Sequence, residues 1–116
     1  MAQTGWKLVG HCPVDSGQLM VSDPCYLDAW KDNDFTGDDE KKNDFSYNGA
    51  CSVTVRDTAG QLFNWTNQPI SVVTSTAGGD GVFPVYVRFE FGTPMELRVM
   101  LDGALLDEIG EVIRDY

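Results

Sequence analysis

The chain has few of the residues from which redox, metal and nucleophilic sites are usually built. Its 116 residues include one histidine and three cysteines. An odd number of cysteines cannot complete an internal disulfide framework, and a reducing cytosol is the simplest setting for them. No C-x-x-C spacing is present. His11 and Cys12, as neighbours on a strand, point to opposite faces, which hinders both a Zn²⁺ site with Cys25 and Cys51 and a cysteine nucleophile using His11 as base. The three cysteines read instead as small buried hydrophobes. Positive charge is also scarce. Eight Lys and Arg stand against 18 Asp and Glu, a formal net charge of −10. That balance argues against nucleic-acid backbone binding, which needs cations to displace condensed counterions, and against an anionic membrane surface. It suits a basic protein partner, a cation, or simple solubility. No apolar run approaches the roughly 20 residues of a membrane helix. The start, Met1 to Lys7, lacks a basic stretch followed by an apolar one, so no secretory signal is expected. Gly78-Gly79-Asp80-Gly81 lacks the lysine of a phosphate loop, although its backbone N–H groups suit a small anion. Asp15-Ser16-Gly17 is not the G-x-S-x-G of a serine hydrolase.

What is present points to a β-rich globule. Apolar residues make up 42% of the chain and aromatics 11%, enough for a self-sufficient core in one domain spanning residues 1–116. Alternation over Trp6 to Val14 predicts a strand. Asp15-Ser16-Gly17 supplies turn chemistry, and Gln18 to Ser22 a second strand, so the pair reads as a β-hairpin ended by Asp23-Pro24. Residues Asp28 to Asp44 hold seven acids and three lysines and read as a long acidic loop, with a helical turn near Leu27 to Lys31. Strand signals return at Ala50 to Arg56, which forms a hairpin with Gln61 to Trp65 across the turn at Asp57 to Gly60, and again at Ile70 to Thr74. Val82 to Phe91 is the strongest strand, with Met95 to Leu101 as its antiparallel partner. Pro84 and Pro94 are apt guards of exposed strand edges. In the tail, Leu105, Leu106, Ile109, Val112 and Ile113 share one helical face. They predict a short amphipathic C-terminal helix, one more strand being the alternative. The fold class is mainly β: an antiparallel β-sandwich or small barrel.

Two segments carry a resemblance. Asp15-Ser16-Gly17 through Asp23-Pro24 follows the pattern D-S-G-x-φ-x-φ-x-D-P, where φ is apolar. Gly79-Asp80-Gly81-Val82-Phe83-Pro84-Val85-Tyr86 follows G-D-G-φ-aromatic-P-V-aromatic. Together they resemble uncharacterised small proteins of phages and bacteria and look like the broader DUF4241-type proteins. The likeness covers about a quarter of the chain and leaves out the acidic loop and the tail. It implies an all-β fold and a phage or bacterial origin, and it brings no activity with it.

The candidate site follows from the same segments. If they pack together, Asp15, Ser16, Asp23, Asp80 and Tyr86 would line a ligand site beside the glycine turn. Asp15, Asp23 and Asp80 alone would be a hard-cation site for Mg²⁺ or Ca²⁺. The competing reading is that each aspartate caps its own turn, with no cofactor. Asp32, Asp34, Thr36 and Gly37 imitate part of an EF-hand, but Asn43 stands where a bidentate Glu is needed. Of the aromatics Trp6, Trp30, Trp65, Tyr26, Tyr47, Phe83 and Tyr86, core packing is expected for Trp6, Trp65, Phe83 and Tyr86; stacking on a nucleobase or other flat ligand is the alternative. The chain therefore reads as a non-enzymatic, phage-encoded interaction protein of the host cytoplasm, whose acidic surface meets a host protein. A nucleotide-like small-ligand binder or sponge is the first alternative, and a metal-assisted hydrolase using the turn aspartates the second.

Overall fold

A computed structural model describes residues 2–37 and 43–113. Asp38, Asp39 and Glu40 of the acidic loop and residues 114–115 of the tail lie outside the described residues. The elements in chain order are β1 (Gly5–Val14), β2 (Gln18–Ser22), a 3-10 segment (Pro24–Ala29), α1 (Tyr47–Asp57), β3 (Ala59–Phe63), β4 (Pro69–Ser75), β5 (Gly81–Glu90), β6 (Thr93–Val99), β7 (Leu105–Leu106) and β8 (Val112–Ile113). The protein is mainly β, with three antiparallel sheets ordered β1-β5-β6, β2-β4-β3 and β7-β8. Among the described residues no sheet closes into a barrel. The chain divides into two compact units. The first comprises residues 1–17 and 76–116, the second Gln18–Ser75.

In the first unit, β1 runs antiparallel to β5 from Gly5↔Phe89 to Val14↔Gly81. β5 continues into β6 through a two-residue turn in which Phe91 (φ 49°) and Gly92 (φ 85°) are both left-handed. That geometry matches the natural twist of a hairpin. Phe83, Tyr86, Val14 and Leu106 are buried. Pro94 lies on the outer strand β6, where a missing N–H costs no ladder bond. Pro84 lies on the central strand, and its carbonyl accepts the Met100 N–H at 3.1 Å.

In the second unit, α1 packs on β3 and β4. Phe45, Ala50, Val53, Leu62 and Val73 form its core, with Met20, Trp30 and Ile70 packed against it. Ser46 caps α1 by accepting the Gly49 N–H at 2.9 Å. Ser52 on the same helix is fully buried, and its hydroxyl has no hydrogen-bond partner among the described residues. A buried hydroxyl without a partner costs about 1–3 kcal/mol. Ser52→Ala is therefore expected to leave stability unchanged or raise it by up to about 1 kcal/mol. Urea denaturation checks this, and a loss above that size would show an unseen role for the hydroxyl.

Several expectations are corrected. β1 and β2 do not form a hairpin: β1 pairs with β5 and β2 with β4. An Asp-Ser-Gly turn serves a passage between sheets as well as a tight reversal. Residues 50–56 are helix, not strand, and so there is no hairpin with Gln61 to Trp65. Their alternation of Cys51, Val53 and Val55 was misleading, because Ala50 and Val53 face the core at helical spacing while Val55 is 61% exposed. The tail forms the β7–β8 hairpin instead of a helix. Asp107 Oδ1 accepts the N–H groups of Ile109 and Glu111, and Gly110 takes a left-handed φ of 90°. Trp65 is not in the core; it is 94% exposed, beyond the end of β3. The helical turn expected near Leu27 falls slightly earlier, at Pro24–Ala29, where the chain enters it through proline.

Candidate functional site

The residues singled out from sequence separate by unit. Asp15, Ser16 and Asp80 are exposed in turns of the first unit. Those turns are joined where Thr76 N–H donates to the Gly17 carbonyl at 3.1 Å. A Cβ on Gly17 would stand 4.0 Å from Asp80 Oδ1. Tyr86 belongs to the same unit but points inward. It is 4% exposed, and its phenol oxygen accepts the Leu106 N–H at 3.0 Å. Asp23 belongs to the second unit and caps the 3-10 segment, accepting the Cys25 N–H at 3.0 Å. The capping reading thus describes Asp23. Among the described residues no cluster of three His, Cys, Asp or Glu could hold a metal ion. The EF-hand imitation is tied to the start of α1. Asn48 Oδ1 accepts the Thr36 N–H at 3.0 Å, and Asn33 Oδ1 accepts the Asn48 N–H at 2.8 Å.

Cys25 is exposed, yet its thiol is held above the ordinary value, first by desolvation and then by hydrogen bonding and charge repulsion from the Asp23 carboxylate. Only the thiolate attacks an alkylating agent. Iodoacetamide near pH 8 is therefore expected to modify Cys25 more slowly than a free cysteine, and Asp23→Asn to speed it. Rates followed by mass spectrometry check this, and an unchanged rate would refute the carboxylate's role. A second thiol, Cys51, accepts from Gln18 Nε2 at 3.3 Å, and Gln18 Oε1 in turn accepts from Thr54 Oγ1 at 2.9 Å. Tyr47 beside it is pushed above the usual phenol range by its hydrogen bond to Cys51.

A concavity lies in the second unit. Phe45 N–H donates to the Phe63 carbonyl at 3.0 Å, and Phe63 N–H to the Asn43 carbonyl at 2.9 Å. Lys31 N–H reaches the Phe45 carbonyl at 3.4 Å, and Tyr47 N–H the Lys31 carbonyl at 2.9 Å. These parallel bridges extend the sheet beyond β3 with two short segments, around residues 44 and 31. Beside them opens a cleft of about 360 Å³, lined by Ala29, Lys31, Asp44, Phe45 and Phe63 and bordered by Asn64 and Trp65. Phe45 makes an edge-on contact with Trp30, ring centroids 5.1 Å apart at 75°.

Trp65 sits on a tightly built loop. Asn64 N–H donates to the Gln68 carbonyl at 3.0 Å, and Asn67 N–H to the Asn64 carbonyl at 2.9 Å. Asn64 Oδ1 accepts from Thr66 N–H at 3.0 Å, Thr66 Oγ1 at 2.8 Å and Gln68 N–H at 2.9 Å. Asn67 takes a left-handed φ of 61°, a conformation asparagine tolerates better than most residues. One side chain thus holds the backbone that carries an almost fully exposed indole. Among the described residues the cleft can offer stacking, apolar contact, the Lys31 ammonium and the Asp44 carboxylate, and no histidine, cysteine or serine lines it. Sequence reasoning missed this site. The signal was Asn64-Trp65-Thr66-Asn67-Gln68, a polar turn with tryptophan at its centre.

No protein-family profile, curated protein or solved structure matches the chain.

Proposed function

We propose that the protein is a non-enzymatic binding protein that meets a basic protein partner, with Trp65 at the centre of the contact. The observation that carries this is the 94% exposure of Trp65 on a hydrogen-bonded loop beside an apolar cleft. Exposed indole is unfavourable in water and is the side chain most enriched at binding hot spots, where its loss costs about 2 kcal/mol or more. The formal charge of −10 favours a cationic partner and speeds its encounter at low salt. A host protein in a bacterial cytoplasm is the partner that the resemblance of the two turn segments suggests. Trp65→Ala is expected to keep the wild-type unfolding curve but to lose partner capture from a host lysate by tenfold or more, equivalent to about 1.4 kcal/mol. Capture that persists in that variant, or that ignores added salt, would defeat this reading.

A second reading, a small-ligand binder of nucleotide-like character, is favoured by the cleft itself. Its volume of about 360 Å³ suits a small molecule, and Lys31 supplies a cation beside aromatic surface. Mass spectrometry of molecules released from natively purified protein tests it. An empty protein with no thermal shift against a nucleotide panel counts against it.

A further inference from the structure

We infer that the cleft receives an arginine side chain from a basic segment of a protein partner, the guanidinium stacking on Trp65. This rests on the binding reading above and adds the chemistry of what is bound. Three features converge. The indole of Trp65 is exposed, and its loop is held by the Asn64 side chain, so an open aromatic face is ready before any ligand arrives. Preorganisation of this kind reduces the entropy lost on binding. Half-buried Phe63 lines the cleft beside it and gives the aliphatic stem of a long side chain an apolar wall, with Phe45 buried beneath.

The third feature is charge. A ligand approaching a chain of formal charge −10 is drawn in if cationic and repelled if anionic. Among the described residues Lys31 is the cation on the cleft wall, but Asp44 lines the same space and Asp28, Asp32 and Asp34 flank Lys31 in the chain. Among cations, guanidinium suits this surface best. It is planar, stacks flat on an indole, and is more weakly hydrated than ammonium, so it leaves water more readily. The same chain already pairs these groups elsewhere: the Arg98 guanidinium carbon lies 5.9 Å from the ring centroid of Trp6.

The test uses the full chain, ¹⁵N-labelled, titrated with three short peptides identical except for a central arginine, lysine or citrulline, and separately with adenosine monophosphate. The readout is the indole N–H resonance of Trp65, assigned by its absence in Trp65→Ala. The arginine peptide is expected to shift it saturably, about tenfold tighter than citrulline, with lysine between, and to weaken as salt rises from about 50 to about 300 mM. Asn64→Ala, which frees the loop without removing the indole, is expected to weaken the arginine peptide severalfold. Equal binding of arginine and citrulline, a Trp65 shift only with the nucleotide, or no shift with the arginine peptide would each overturn the inference. The broader binding reading would survive those results. It fails separately, if Trp65→Ala captures the same proteins from lysate as the wild type.

Discussion

Gly49→Ala is expected to lower stability by more than about 3 kcal/mol, the size of effect that only a few mechanisms produce. A Cβ at this position would lie 2.0 Å from the Asp44 carbonyl oxygen and 2.8 Å from its nitrogen. Both are backbone atoms, so no side chain can swing aside. Gly49 is in the first turn of α1, and the segment it touches doubles back there, with Ser46 N–H donating to the Asp44 carbonyl at 2.8 Å. Making room would mean moving residues 43–46, which also bond to Phe63 and Lys31. The cap of α1, the extension of the sheet and the floor of the cleft would all be disturbed at once. Urea denaturation followed by circular dichroism checks this, with Gly10→Ala as the control, since a Cβ there meets nothing within 4 Å. A loss below about 1 kcal/mol would show that the 43–46 segment yields easily and is not a rigid floor.

Gly110→Ala is expected to detach the tail hairpin, costing about 2–3 kcal/mol. Two penalties coincide. Gly110 has φ 90°, a conformation that side chains avoid, and its Cβ would stand 2.6 Å from Trp6 Nε1 and 2.8 Å from Trp6 Cδ1. The Trp6 indole is held there because Arg98 reaches over it and donates through Nη1 to the Gly110 carbonyl at 3.1 Å, while the Trp6 backbone N–H donates to the Glu108 carbonyl at 2.9 Å. Limited proteolysis should then cut within residues 104–113, and amide exchange at Leu106, whose N–H is bonded to Tyr86, should accelerate. Protection across β3 and β4 should not change. If the tail stays resistant to protease, the Trp6 clasp does not hold it.

The sequence disclosed strand character well where alternation was long. β5 and β6 lie where Val82 to Phe91 and Met95 to Leu101 indicated, because strands of this length with a glycine turn between them leave few other arrangements. Pairing was harder to read. Residues 6–14 alternate clearly, but nothing in them names Gly81–Glu90 as partner in preference to the adjacent Gln18–Ser22. α1 was misread because seven residues fit both periods. The decisive sign was Ser46, three residues before Gly49, acting as a cap, and its role needs the helix to exist first. At the candidate site, aspartates and glycines drew attention because their chemistry is recognisable in isolation. Trp65 did not, because an exposed tryptophan and a buried one look alike in sequence, and only the hydrogen bonds of Asn64 decide which it is.

The division of the chain also sets an order of events. The second unit is an insertion within the first, entered at Gln18 and left at Ser75, and these two residues face one another across β2 and β4. During synthesis every pairing partner within that unit has been made before β5 begins at Gly81. The first unit has no such advantage: β1 is made before the insertion, and β5, the strand it pairs with, lies beyond it. At roughly 5–20 residues per second, β1 spends several seconds with both edges unpaired. A strand in that state is a template for aggregation. A pause or truncation of translation between Ser75 and Gly81 therefore leaves β1 without its partner, while every strand of the Trp65-bearing unit is already made.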